Sequence, residues 1–246
     1  MKNNIKKIVK YSLGPLYAPL ERVINALLFR LGKRSYSQEG EDLILARFFE
    51  KQKIGFYVDV GAHHPYRFSN TCFFYRRGWS GLNIDAMPGS MEAFRKTRSR
   101  DINLEVGVLR TKEKVPFFVF DDAALNGFWP DRGTAQKTNP GYNVLSEILV
   151  DAFPLSDIFN KHLSPNQEID FLSIDAEGRD MDVVSSNDWV KYRPKVVVIE
   201  LHGRDLHSLI STPMCEYMEE RGYIPYAKSF NSVFFLEKQF RNFLLG

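Results

Sequence analysis

Four apolar runs of this 246-residue chain end in acid: Asp59 in Gly55-Phe-Tyr-Val-Asp-Val-Gly61, Asp85 in Leu82-Asn-Ile-Asp85, Asp175 in Asp170-Phe-Leu-Ser-Ile-Asp175 and Glu200 in Lys195-Val-Val-Val-Ile-Glu200. Glu177 follows two residues after Asp175. Short continuous apolar runs of this kind read as buried strands. In sheets built from such strands, ligands sit beyond the carboxyl ends. Four acids gathered there can accept hydrogen bonds from hydroxyls, answer a cationic group, take a proton or hold a hard cation.

The turn after the first run narrows the ligand. A dinucleotide site wants G-x-G-x-x-G, whose glycines let backbone approach a pyrophosphate. Here the turn reads Gly61-Ala-His-His-Pro-Tyr66, with only the first glycine, and no P-loop follows elsewhere. Asp85 lies 24 residues beyond Gly61, near the offset of about 20 at which an acid meets ribose hydroxyls. A nucleoside lacking phosphates, with Asp59 answering a cationic end, points to S-adenosylmethionine. His63 and His64 are read as hydrogen-bonding within the turn in preference to metal ligation.

The elements that must position these residues alternate. Helices are expected over 69–78, 88–98 (Pro88 at the start), 155–163, 180–190 and 211–221. Further strands are expected at Ile102–Leu109 and Val115–Phe120, with Tyr223–Tyr226 and Ser232–Leu236 closing as an antiparallel pair. Residues 121–143, rich in Gly, Asn, Asp and Pro, read as a long functional loop. The whole implies an α/β fold with a mostly parallel sheet covered on both faces.

Composition excludes several classes. At 44% hydrophobic and 26% charged, the chain is neither disordered nor fibrous. No run reaches the roughly 18–20 apolar residues of a spanning helix. Two cysteines, Cys72 and Cys215, are too few for a disulfide framework and read as reduced thiols, which suits a cytoplasmic setting. The net charge of +3 divides into +7 over residues 1–35 and −4 over the rest. A general nucleic-acid surface is therefore not expected.

Beyond single residues, the chain resembles the FkbM-type S-adenosylmethionine-dependent methyltransferases. The stretches that carry the likeness are Ser35-Tyr-Ser-Gln-Glu-Gly-Glu-Asp-Leu-Ile-Leu45, Tyr57-Val-Asp-Val-Gly-Ala-His-His-Pro65, Ser69-Asn-Thr71, Gly78-Trp-Ser-Gly81, Asn83-Ile-Asp-Ala86 and Asp101-Ile-Asn103. Ile169-Asp-Phe-Leu-Ser-Ile-Asp-Ala-Glu-Gly178, Ser186-Asn-Asp-Trp189 and Val196-Val-Val-Ile-Glu200 continue it. It spans residues 35–237. The resemblance implies a Rossmann-like class I methyltransferase fold, α/β, with seven strands ordered 3-2-1-4-5-7-6. It also implies O-methylation, often of sugar hydroxyls in surface glycans or metabolites.

Carried over by residue, the resemblance places Asp59, Gly61, Asp85 and Ala86 at the cofactor. Asp101 and Gly107 fall near the adenine, and Asp175, Glu177 and Gly178 on the substrate side. Gln38 and Glu41 are expected either to fold over the cofactor or to belong to a helix cap with Ser37 or Asp42. A sugar hydroxyl is a poor nucleophile, so a base or a metal should assist. Asp175, Glu177 and His202 are the candidate catalytic residues, with His202 equally readable as a solvated loop histidine. Asp175 and Glu200 are the candidate ligands for Mg²⁺.

Two rival readings stand beside this one. Asp180-Met-Asp182 matches the D-x-D of some sugar transferases, although acids also suit the start of a helix. A non-catalytic binding protein on the same fold is the other. Residues 1–34 read as a separate basic, amphipathic extension, with a leucine-rich stripe from Leu20 to Leu31. It is expected to contact an anionic membrane surface or to pack on the domain or in a homodimer.

Overall fold

Glu41–Phe48 forms helix α1, Phe56–Val60 strand β1, Cys72–Tyr75 helix α2 and Ser80–Asp85 strand β2. Met91–Thr97 (α3) and Ile102–Glu105 (β3) follow. An inserted segment then holds Gly107–Val108 (β4), Glu113–Phe120 (β5), Arg132–Thr138 (α4) and Val144–Phe153 (β6). Leu155–His162 (α5), Phe171–Ile174 (β7), Asp180–Ser185 (α6) and Val196–Glu200 (β8) resume the alternation. Leu206–Leu209 (α7), Pro213–Glu220 (α8), Tyr223–Lys228 (β9), Ser232–Glu237 (β10) and Lys238–Leu245 (α9) end it.

This computed structural model describes residues 33–201 and 205–245. The chain divides into two compact units, Met1–Ser35 and Tyr36–Gly246. The helical stripe expected near the N-terminus lies outside the described residues, and so does His202.

The main sheet runs β3-β2-β1-β7-β8-β10-β9. Counted alone in chain order, its strands read 3-2-1-4-5-7-6. The pairs from β3 to β8 are parallel, and β10 is antiparallel to both β8 and β9. Successive strand residues point to opposite faces. Val58, Val60, Leu172, Ile174, Val197 and Ile199 therefore pack on one side against Ile158, Phe159, Val183 and Met218 of α5, α6 and α8. Tyr57, Phe171, Val196, Val198 and Phe234 pack on the other against Leu45, Phe49 and Phe74 around α1 and α2. Burial on both faces explains why these strands are apolar throughout.

Three expectations are corrected. The strand expected over Ile102–Leu109 breaks at Val106: β3 pairs with β2, whereas β4 pairs with β6 in a separate three-stranded sheet. The loop expected over 121–143 contains a 3-10 turn at Ala123–Leu125 and helix α4, and leads into β6, which pairs along β5. The helix expected to reach residue 190 stops at Ser185, because the Ser186 hydroxyl accepts the Leu155 N–H and donates to the Val183 carbonyl.

Candidate functional site

Register places the strand ends side by side. Val60 lies between Ile84 and Ile174, so Gly61, Asp85 and Asp175 leave the sheet together. Gly61 has φ +80 and donates its N–H to the Ile84 carbonyl at 2.9 Å, while Asp175 N–H reaches the Val60 carbonyl at 3.0 Å. Asp85 grips both departing loops. One carboxylate oxygen accepts the His63 N–H at 3.0 Å and the other the Met87 N–H at 2.8 Å. Burial pushes its pKa above the usual carboxylate range, and these bonds oppose that shift. His64 Nδ1 accepts the N–H groups of Tyr66 and Arg67, which closes the turn.

Asp59 lies one residue inside the end of β1. It is 5% exposed and accepts the Thr71 hydroxyl at 3.0 Å. Burial raises its pKa to about 6, against the pull of Arg98. Asp101 lies elsewhere in the sheet. It precedes the first residue of β3 and so sits at the amino end of the sheet, opposite the crevice. Its carboxylate accepts the Tyr57 hydroxyl at 2.6 Å, the Gly81 N–H at 2.9 Å and the Asn83 amide at 3.0 Å. Gly107 makes room for protein: a Cβ there would lie 2.6 Å from the Phe128 ring. Ala86 packs beside the cluster of Phe117, Phe128 and Val150.

The turn after β7 bends through Glu177 at φ +47 and Gly178 at φ +87. Asp180 Oδ1 accepts the Ala176 N–H at 3.0 Å, while Asp182 pairs with Arg110 at 2.7 Å and Arg179 at 3.2 Å. The D-x-D triplet thus starts helix α6 and fastens the turn. The inserted segment reaches this turn from above: a Cβ on Gly127 would lie 3.0 Å from Glu177 Cβ, and Arg179 Nε donates to the Phe128 carbonyl at 3.2 Å. Residue spacing did not single out these contacts; the length and glycine content of 121–143 were the only signal.

The acids here crowd one another. Asp175 is hydrogen-bonded to Glu200, and burial together with the Glu200 and Asp180 carboxylates raises it well above the carboxylate range. Burial raises Glu200 to about 7, opposed by the bond from Asp175 and helped by Glu177. Burial and the Asp175 charge push Glu177 up to about 8. The buried Oδ1 of Asp175 has no hydrogen-bond partner. Among the described residues no group of three or more His, Cys, Asp or Glu is arranged to hold a metal ion.

A cavity of about 30 Å³ opens beside this pair, lined by Gln38, Phe68, Asn70, Asp175, Glu200 and Asn231 among others. Gln38 is held there by its neighbours. Asp42 accepts the Tyr36 N–H and the Ser37 hydroxyl, and Ser37 Oγ accepts the Gly40 N–H. Glu39 accepts the Asn231 backbone and amide N–H groups, both at 2.7 Å. Glu41 accepts the Ser229 hydroxyl at 2.8 Å and the Glu39 N–H at 2.9 Å. Gln38 thus lines the cavity while Glu41 fastens the segment to Ser229. The helix that follows is capped at Gly40 with no side-chain hydrogen bond, so the N-cap expected at Ser37 or Asp42 is not found. Glu39, Asn70 and Asn231 were missed because they converge from segments far apart in sequence.

A family model described as the methyltransferase FkbM domain matches residues 59–225, from the end of β1 into β9. No curated protein matches the chain.

Proposed function

This chain belongs to the FkbM methyltransferase family, and from that premise we propose that it is an S-adenosylmethionine-dependent O-methyltransferase acting on a sugar hydroxyl. The observation that carries the reading is the Gly61 turn fastened to Asp85, directly beside the Asp175–Glu200 carboxyl pair. When bound, S-adenosylmethionine supplies a methyl group already activated on a sulfonium centre.

Asp85 suits the ribose. Each of its oxygens has a second lone pair beyond the backbone bond it accepts, and the residue is partly exposed. The donor set around the turn lacks the successive glycines that a pyrophosphate requires, which matches a cofactor without phosphates.

The acceptor hydroxyl must lose a proton as the new C–O bond forms. Burial and the neighbouring Glu200 and Asp180 carboxylates favour the protonated form of Asp175. Glu200, at about 7, is half ionised at neutral pH and takes the acceptor's proton. The unpartnered Asp175 Oδ1 is an acceptor for an incoming hydroxyl. Gln38, Asn70 and Asn231 surround it with amides that suit a ligand rich in hydroxyls, and the exposed Phe68 offers a face to sugar C–H groups. These assignments need no metal.

The test is methyl transfer from isotopically labelled S-adenosylmethionine to glycans extracted from the source cells, read by mass spectrometry. One labelled methyl per acceptor sugar is expected. Cofactor binding without transfer to any hydroxyl-bearing acceptor would favour the non-catalytic reading. Absence of cofactor binding in the folded protein would overturn the cofactor itself.

A further inference from the structure

A second cavity, of about 300 Å³, opens where α2, the end of α3 and the loop after β1 meet. That volume is at the lower limit of small-molecule sites. Arg76, Arg98 and Arg100 line it together with Tyr66 and Tyr75, and no described carboxylate does. We propose that this cavity binds the phosphate group of a small, soluble phosphorylated molecule.

Arg98 is the inner wall. It is 1% exposed. Its Nη1 donates to Thr71 Oγ1 at 2.6 Å, and its Nη2 to Ser69 Oγ at 2.8 Å and to the Pro65 carbonyl. Its Nε has no partner. Its charge lies behind the cavity wall and favours an anion there. The nearest carboxylate, Asp101, stands 4.0 Å away and already accepts three hydrogen bonds.

Arg76 and Arg100 form the exposed rim. The Arg100 guanidinium lies 3.9 Å over the Tyr75 ring and donates to the Tyr75 carbonyl at 2.5 Å. Arg76 lies 5.7 Å from the Tyr36 ring centroid. Held in this way, the two side chains lose less freedom on binding than mobile surface arginines. Planar guanidinium forks match phosphate oxygens in geometry as well as charge. The ligand is small because the cavity holds only about 300 Å³.

The experiment is calorimetric titration of the full-length chain with inorganic pyrophosphate at constant ionic strength. Saturable one-site binding is expected, weakened about ten-fold or more in Arg76→Gln and in Arg100→Gln. Both rim residues are exposed, so unchanged melting temperatures should accompany the loss. A wild-type titration with no saturable heat up to about 10 mM overturns the proposal without recourse to variants. So does binding that both variants retain in full, since the anion then sits elsewhere, as on the basic residues 1–35.

Discussion

The backbone carbonyl oxygen of Asp175 lies where a side chain on Gly61 would have to be: a Cβ built on Gly61 would be 1.8 Å from it. The end of β1 and the start of the turn that carries Asp175 are therefore in backbone contact. Gly61 is also at φ +80, which any other residue adopts at a cost.

Gly61→Ala is accordingly expected to destabilise the fold by about 2–4 kcal/mol, from left-handed strain plus overpacking against backbone that has no rotamer to change. It should abolish cofactor binding in whatever protein remains folded. Denaturant unfolding and calorimetry with S-adenosylhomocysteine check the two parts. A variant of wild-type stability would show that the turn and the Asp175 strand end are free to separate.

Asp85→Ala should weaken cofactor affinity by about 1–3 kcal/mol, because a charged acceptor for the ribose is lost. It should also lower stability, since the His63 and Met87 N–H groups lose their acceptor. Asp85→Asn keeps one carbonyl oxygen and should fall between alanine and wild type on both measures. Wild-type affinity in folded Asp85→Ala would remove the ribose assignment.

Asp101 is expected to behave in the opposite way. Its carboxylate joins Tyr57, Gly81 and Asn83 at the amino end of the sheet, so Asp101→Ala leaves several buried donors unsatisfied. A stability loss of about 2–4 kcal/mol is expected, with cofactor affinity in the folded fraction unchanged. Thermal unfolding and calorimetry separate the two readouts. A selective loss of affinity at constant stability would place Asp101 at the cofactor.

The contrast between Asp85 and Asp101 shows what was legible in the sequence. Asp85, Asp175 and Glu200 each end an apolar run, so the direction of the chain alone puts them on one edge of the sheet. Asp101 precedes its strand, and a resemblance that places it near β3 does not say at which end. The cavity beside Asp175 was legible only in part, because the Glu39–Asn231 contact spans 192 residues and leaves no local pattern. The second sheet was hidden for a related reason. Strand β6 exposes Leu145 and Leu149, at 63% and 69%, so its hydrophobic pattern does not reveal which face is covered.

The carboxyl cluster should make both stability and activity depend on pH, in opposite directions. In the unfolded chain these acids titrate near 4. In the native state Asp175 titrates well above that, Glu200 at about 7 and Glu177 at about 8. From about pH 4 up to those native values, the folded protein holds protons that the unfolded chain has released. Stability must then fall as pH rises, by at most about 1.4 kcal/mol per pH unit for each proton retained. Partial exposure of Glu200 reduces its share. Below the unfolded values both states are protonated and the dependence vanishes. Denaturant midpoints measured from pH 5 to pH 9 should therefore decline in the wild type and decline less in Asp175→Asn. Methyl transfer should rise over the same range, since Glu200 accepts a proton only when ionised. Glu200→Gln should remove that limb near pH 7 and lower kcat by about 10²–10⁴. Equal pH slopes in wild type and Asp175→Asn, or a rising limb that survives in Glu200→Gln, would show that the pair neither stores the proton nor takes it from the acceptor.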